Sequence, residues 1–502
     1  MHQIGGNDPT QVESGFSNRD RADYESMNAN PGAGLQLVQQ RYEGTETENE
    51  TRSIVDDEEG VANTLDSTTE PLLRPSIPES FRSIRVAAAD AAWWQKLYSY
   101  AGPGILIAVG YMDPGNWSTD MAGGSLYNYD LLFVILLSSL CAMFLQSLTV
   151  RLGVSTGRDL AQLCRENYPD FVAYCLWFIF EVAIAATDLA EVIGSAIGLK
   201  LLFGIPLVAG VCLTVFDVLL VMFLYRGKMR VIESLVAFLV SVITICFVVE
   251  MVYSRPDVKE LLHGYIPKAR LITDPGRLFI GIGIIGATVM PHNLFLHSSL
   301  VLTRASRTDV EGQREAIKYA TIDSCINLVG AFFVNCFILI VAASAFHKNG
   351  IYDVASLEEA YHMLDNVLGK KAASVLFGVA LLASGQSSTF TGTFAGQIVM
   401  EGFLNFRMGP MARRITTRTI AIIPALLAII IGGDRQVDNL LILSQVILSF
   451  ALPFAVFPLV QFTSEPSMMG VFVSNNEEKC LAYIVFVILS VLNVYLLVTG
   501  DF

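Results

Sequence analysis

From Trp93 onward, apolar runs of about twenty residues alternate with short polar stretches, and that length spans a bilayer as a helix. Eleven such segments are predicted. They run approximately over Leu97–Leu126, Leu131–Val150, Val172–Leu199, Ile205–Tyr225, Val231–Tyr253, Arg277–Thr303, Ile322–Phe346, Ala372–Phe403, Thr416–Gly433, Val437–Phe462 and Cys480–Val498. Two of them break their own pattern. The first holds Gly110-Tyr111-Met112-Asp113-Pro114-Gly115-Asn116, and the sixth holds Ala287-Thr288-Val289-Met290-Pro291-His292-Asn293. Proline has no N–H and its ring clashes with the carbonyl four residues back, so Pro114 releases the carbonyl of Gly110 and Pro291 that of Ala287. Non-helical backbone at membrane depth is tolerated only where it is buried in protein or lines a cavity. The sixth segment follows the first by five, so two halves of five helices enter the membrane with opposite orientation, and the eleventh is appended. Such an inverted repeat places its site where the two unwound stretches face each other.

The polar residues at the breaks narrow the chemistry. Asp113 offers a carboxylate, Asn116 an amide oxygen and Ala287 a freed carbonyl; Met290 adds a thioether. An all-oxygen set suits Mg²⁺ or Ca²⁺, whereas a soft sulfur favours a divalent transition metal such as Mn²⁺ or Fe²⁺. Gln445, an amide in the middle of the tenth segment, is a candidate for completing that shell when the site closes. His292 is either a titrating neighbour of the metal or a neutral hydrogen-bonded histidine, and His297 reads as structural. Glu181, Asp188 and Glu191 share one face of the third segment. That stripe reads as a proton relay, or as an ion-pair network with Arg413 and Arg414. Asp217, Asp323, Asn327 and Asn335 read as hydrogen-bond partners between helices, and the polar run Gly385–Thr393 as a packing surface.

Composition agrees with a polytopic α-helical membrane protein. The chain is 53% hydrophobic and 16% charged, against about 25% charged in an ordinary soluble domain. The net charge of −14 comes in large part from acidic runs before residue 90, such as Asp56-Asp57-Glu58-Glu59. Residues 1–90 therefore read as a disordered acidic tail, and 91–502 as the transmembrane domain. Arg151, Arg158, Arg165, Arg226, Lys228, Arg230 and the later basic clusters put the tail in the cytosol. The basic loop from Arg255 to Arg277 runs against that rule. Eight scattered cysteines form no C-x-x-C pair and read as free thiols. No basic patch with interleaved aromatics suggests nucleic acid, and no nucleophile–base pair or phosphate loop suggests an enzyme.

Asp113-Pro114-Gly115-Asn116, Met290-Pro291-His292, Thr187–Gly194 and Gly385–Thr389 together resemble the natural resistance-associated macrophage protein (Nramp) family. The resemblance implies a LeuT-like fold and proton-coupled symport of Mn²⁺ and Fe²⁺ into the cytosol, with Cd²⁺ as lesser cargo and no cofactor. It implies metal ligands Asp113, Asn116, Met290 and the Ala287 carbonyl, joined by Gln445 on occlusion. It also implies a proton pathway of Asp113, His292, Asp188, Glu191, Arg413 and Arg414. Met290 argues against the magnesium- and aluminium-transporting branches. The alternatives are a cation-coupled organic-solute transporter on the same fold and a metal sensor without flux. The plasma membrane and an acidic organelle such as a vacuole or endosome both supply the gradient this mechanism needs.

Overall fold

The computed structural model of the chain describes residues 75–214, 216, 229–352, 357–368, 372–404, 416, 419–420, 422–427, 429–430 and 434–499. Arg413, Arg414 and Asp217 lie outside them, as does the tail before Pro75.

A short entry helix, α1 (Trp93–Tyr100), leads to α2 (Pro103–Gly110), the break, and α3 (Pro114–Tyr127). The long α4 (Leu132–Thr156) follows, then the connecting α5 (Leu160–Asn167), α6 (Asp170–Phe203) and α7 (Met229–Ser254). Beyond the short α8 (Val258–Gly264), the second broken span forms α9 (Pro275–Thr288) and α10 (Pro291–Leu300). Then come α11 (Val310–Ala345), the amphipathic α12 (Leu357–Leu368), α13 (Ala373–Leu404), α14 (Asp434–Thr463) and α15 (Asn476–Thr499). Both breaks fall where proline predicts them. Eight of the eleven expected segments correspond to long apolar spans; the first is divided into α2 and α3, and the fourth and ninth fall partly outside the described residues.

Burial is inverted relative to a soluble protein. Phe178, Phe238 and Val498 are exposed on the outside of their spans, as lipid-facing positions must be. Polar side chains such as Asp113, Asn293, His297 and Gln445 are fully buried. The most extensive packing joins α6 to α13, with α11 against α2, α3 and α4, and α9 against α14. The broken helices thus sit between neighbours that satisfy their loose ends. Asp323 of α11 accepts from the N–H groups of Gly102 and Gly104 at the start of α2, at 3.1 and 2.8 Å. Its other oxygen accepts from Asn327 at 3.0 Å. This is the interhelical role expected of Asp323, and it quenches orphan donors at a buried helix N-terminus.

Residues 75–90, which composition assigns to the tail, pack onto the helices instead. Ile84–Arg85 (β1) pairs in parallel with Arg304–Ala305 (β2) just beyond α10. Ile77 is buried in the main apolar cluster, and the Ser76 hydroxyl donates to Asp159 at 2.6 Å. Burial pushes the Asp159 carboxyl up to about 6, and the Ser76 hydrogen bond opposes that rise. Behind β2, Arg304 forms a buried ion pair with Glu233 of α7 at 2.8 Å and also donates to the Ala101 carbonyl.

At the opposite end, Asp130 after α3 receives Lys268 at 2.6 Å and Arg270 at 2.7 Å. Arg277 lies 3.5 Å away and stacks over the Tyr127 ring at 4.5 Å. The basic loop that ran against the charge rule therefore has a local acidic partner.

Candidate metal site

Each break is built as a helix start. Asp113 is the N-cap of α3, with extended backbone, and its Oδ1 accepts from the Asn116 N–H at 2.9 Å. Aspartate followed by proline at the first helical position is a favoured start signal, and the positive end of the helix stabilises the carboxylate. Met290 takes the same place on α10, followed by Pro291. The carbonyl of Met112, freed at the first break, accepts from Ser384 Oγ at 2.6 Å and Trp117 Nε1 at 3.1 Å. The unwound backbone is thus held from α13 as well as by its own chain.

The two breaks and α14 converge. A Cβ on Gly115 would overlap the Gln445 amide, and one on Gly286 would collide with the Gln445 carbonyl. Gln445 is therefore wedged between the residue that follows Pro114 and the residue that precedes Ala287. Gly110 is pressed against the Asn293 amide in the same way, and Asn293 Nδ2 points to Met290 Sδ at 3.7 Å. Met290 also packs with Ala186 of α6 and Leu448 of α14.

Asp113 Oδ2, Asn116 Oδ1, Gln445 Oε1, His292 Nδ1 and Asn293 Oδ1 are buried with no hydrogen-bond partner among the described residues. Orphaned buried acceptors are costly and uncommon, and a bound ion is one way to satisfy them. All the side-chain donors are closed to solvent. Among the described residues no three His, Cys, Asp or Glu side chains cluster as a conventional metal site.

Asp188 and Glu191 of α6 meet at Gly392 of α13, where a Cβ would lie 3.1 Å from Asp188 Oδ1 and 2.9 Å from Glu191 Oε1. Further along the helix, Asp188 and Glu181 both line a cavity of about 330 Å³ that also reaches Trp177, Met400 and Thr416. His297 bonds to Gln146 at 2.8 Å, and Gln146 to the Tyr111 hydroxyl at 3.0 Å, the structural role expected of it. Asn335 Oδ1, expected to have an interhelical partner, has none among the described residues. Sequence reasoning missed Asn293. Its signal is the three-residue spacing from Met290, which puts both on one face of α10.

The family description "natural resistance-associated macrophage protein-like" matches residues 104–499. The chain belongs to the Nramp family. It is 55% identical over 429 residues to a protein of Nostoc sp. named divalent metal cation transporter MntH, covering 86% of this chain and 97% of that one. Among solved structures, a manganese transporter of Eremococcus coleocola, in complex with an aromatic bis-isothiourea compound, superposes with a TM-score of 0.78 at 40% identity. The match covers 84% of this chain and 90% of the other. MhsT in complex with L-phenylalanine superposes with a TM-score of 0.54 at 15% identity, covering 78% and 98% of the two chains. That likeness speaks to the fold alone, and it confirms the LeuT-like arrangement of this multi-pass membrane protein.

Proposed function

We propose that this Nramp protein carries divalent transition-metal ions, Mn²⁺ and Fe²⁺ foremost and Cd²⁺ as lesser cargo, into the cytosol together with protons. One observation carries the reading: Gln445 is wedged between the two breaks while Asp113, Asn116 and Gln445 each keep a buried oxygen without a hydrogen-bond partner among the described residues. Those oxygens, the Met290 sulfur and the Ala287 carbonyl form the ligand set. The names of the Nostoc and Eremococcus relatives support the same cargo class. The burial of these side chains supports a cycle of alternating access with an occluded stage, in which rocking of the two halves opens the site to one face and then the other. Asp188 and Glu191 lead the proton away from Asp113 and His292 toward Arg413 and Arg414, by way of the cavity that Glu181 lines. The acidic tail lies in the cytosol, and the membrane is the plasma membrane or that of an acidic vacuole or endosome.

Purified protein in liposomes accumulates Mn²⁺ faster under an inwardly directed proton gradient. Uptake indifferent to external pH removes the coupling. Binding without accumulation turns the protein into a sensor, and uptake of an amino acid in place of metal assigns it to organic solutes.

Met290→Ala separates soft from hard cations. Loss of the sulfur leaves an all-oxygen set, so Ca²⁺ and Mg²⁺ compete for Mn²⁺ uptake about tenfold better while Mn²⁺ uptake itself falls less. Unchanged competition by Ca²⁺ shows that the thioether does not select.

A further inference from the structure

The appended helix α15 carries most of its side chains toward lipid: Val491, Val494 and Leu497 are each more than half exposed. Its inward face buries Ala482, Val485 and Leu489 together with one polar side chain among the described residues, the amide of Asn493, 5% exposed. It faces a defect in α14. Pro453 lies inside that helix, so the carbonyl of Ser449, four residues back, has no helical donor. Asn493 Nδ2 donates to this carbonyl at 2.8 Å, and Ser449 Oγ donates back to Asn493 Oδ1 at 3.0 Å. The amide thus makes a reciprocal pair at the kink and leaves neither partner bare.

Ser449 is one helical turn from Gln445, on the same face. A Cβ on Gly286 would collide with the Gln445 carbonyl and come within 2.8 Å of Ser449 N. The turn held by Asn493 is therefore the turn seated on α9 beside Ala287. An apolar cavity of about 530 Å³, lined by Phe450, Pro453, Phe457 and Asn493 among others, flanks the kink and leaves α14 room to bend.

We propose that Asn493 is a positioning residue for transport: by fixing the bend of α14 at Ser449, it holds Gln445 against Gly115 and so sets how tightly the occluded site grips its ion. This rests on Gln445 being a metal ligand, as read above. Helix α15 then acts on the site without touching it.

The test is Mn²⁺ uptake by full-length variants in liposomes, with thermal melting measured in parallel. Asn493→Leu raises the KM for Mn²⁺ about fivefold, the size of one lost hydrogen bond of average strength. In a Gln445→Ala background, itself raised in KM, the same substitution shifts KM by less than about twofold, because two residues acting through one contact do not add. Pro453→Ala added to Asn493→Leu supplies the missing N–H but straightens the helix, so melting recovers while KM stays high. Ser449→Ala keeps the carbonyl bond and gives a smaller shift in the same direction, which serves if Asn493→Leu fails to fold. Additive effects of Asn493→Leu and Gln445→Ala overturn the proposal, as does a KM that recovers together with stability. A wild-type KM in Gln445→Ala alone overturns the ligand assignment of Gln445 and the proposal with it, a different result from additivity.

Discussion

Asp113→Ala lowers Mn²⁺ uptake by at least about a hundredfold, because it removes the one anionic member of the proposed ligand set from a buried position where charge is weakly screened. Three consequences add together. The proposed site loses a carboxylate whose Oδ2 has no hydrogen-bond partner among the described residues. Helix α3 loses its N-cap bond to the Asn116 N–H, worth about 1 kcal/mol. The cation's charge is then left without a neutralising group at mid-membrane. Asp113→Asn separates these effects, since its Oδ1 still caps the helix: melting stays near wild type while uptake is lost. Asp113→Ala protein that transports Mn²⁺ at the wild-type rate places the site elsewhere. Uptake should be measured in liposomes, with surface expression or reconstitution yield checked on the same samples.

The second large effect comes from a residue without a side chain. In Gly286→Val the new Cβ strikes the Gln445 carbonyl and the Ser449 backbone. Neither is the free end of a side chain, so α9 and α14 must separate. Overpacking of this kind costs about 1–3 kcal/mol in stability, and it falls on the packing proposed above for the occluded stage. Mn²⁺ uptake falls by up to about a hundredfold if that strain is borne by the occluded step alone. Gly281, on the same helix, is the control. A Cβ there meets nothing nearer than 3.9 Å, and Gly281→Ala transports normally. Equal uptake in Gly286→Val and Gly281→Ala shows that contact between α9 and α14 is not needed for transport.

Much of the fold and the centre of the candidate site were legible because proline and charge act locally. Pro114 and Pro291 dictate a break wherever they fall in an apolar run, and Asp113 is recognisable as a cap from its place one residue earlier. What was not legible depends on pairing at long range. The Asn493–Ser449 pair spans 44 residues, and nothing in either segment names the other. Pro453 stood in plain view in the tenth segment, but its consequence depends on which neighbour supplies the missing donor. Asp130 explains the basic loop before Arg277 only once Lys268 and Arg270 are folded back onto it. Residues 75–90 read as tail because their average polarity hides single anchors such as Ser76 and Ile77. Glycines were the hardest to judge: Gly115 and Gly286 look alike in sequence to Gly281, and only the packing partner distinguishes them.

The parallel pairing of Ile84–Arg85 with Arg304–Ala305 also fixes where this polypeptide can be shortened. Trimming the acidic leader up to residue 74 leaves the docked stretch whole, whereas a start at Trp93 strips away the strand, the Ile77 plug and the Ser76 tether together. An N-terminal purification tag or fluorescent reporter therefore belongs upstream of Pro75.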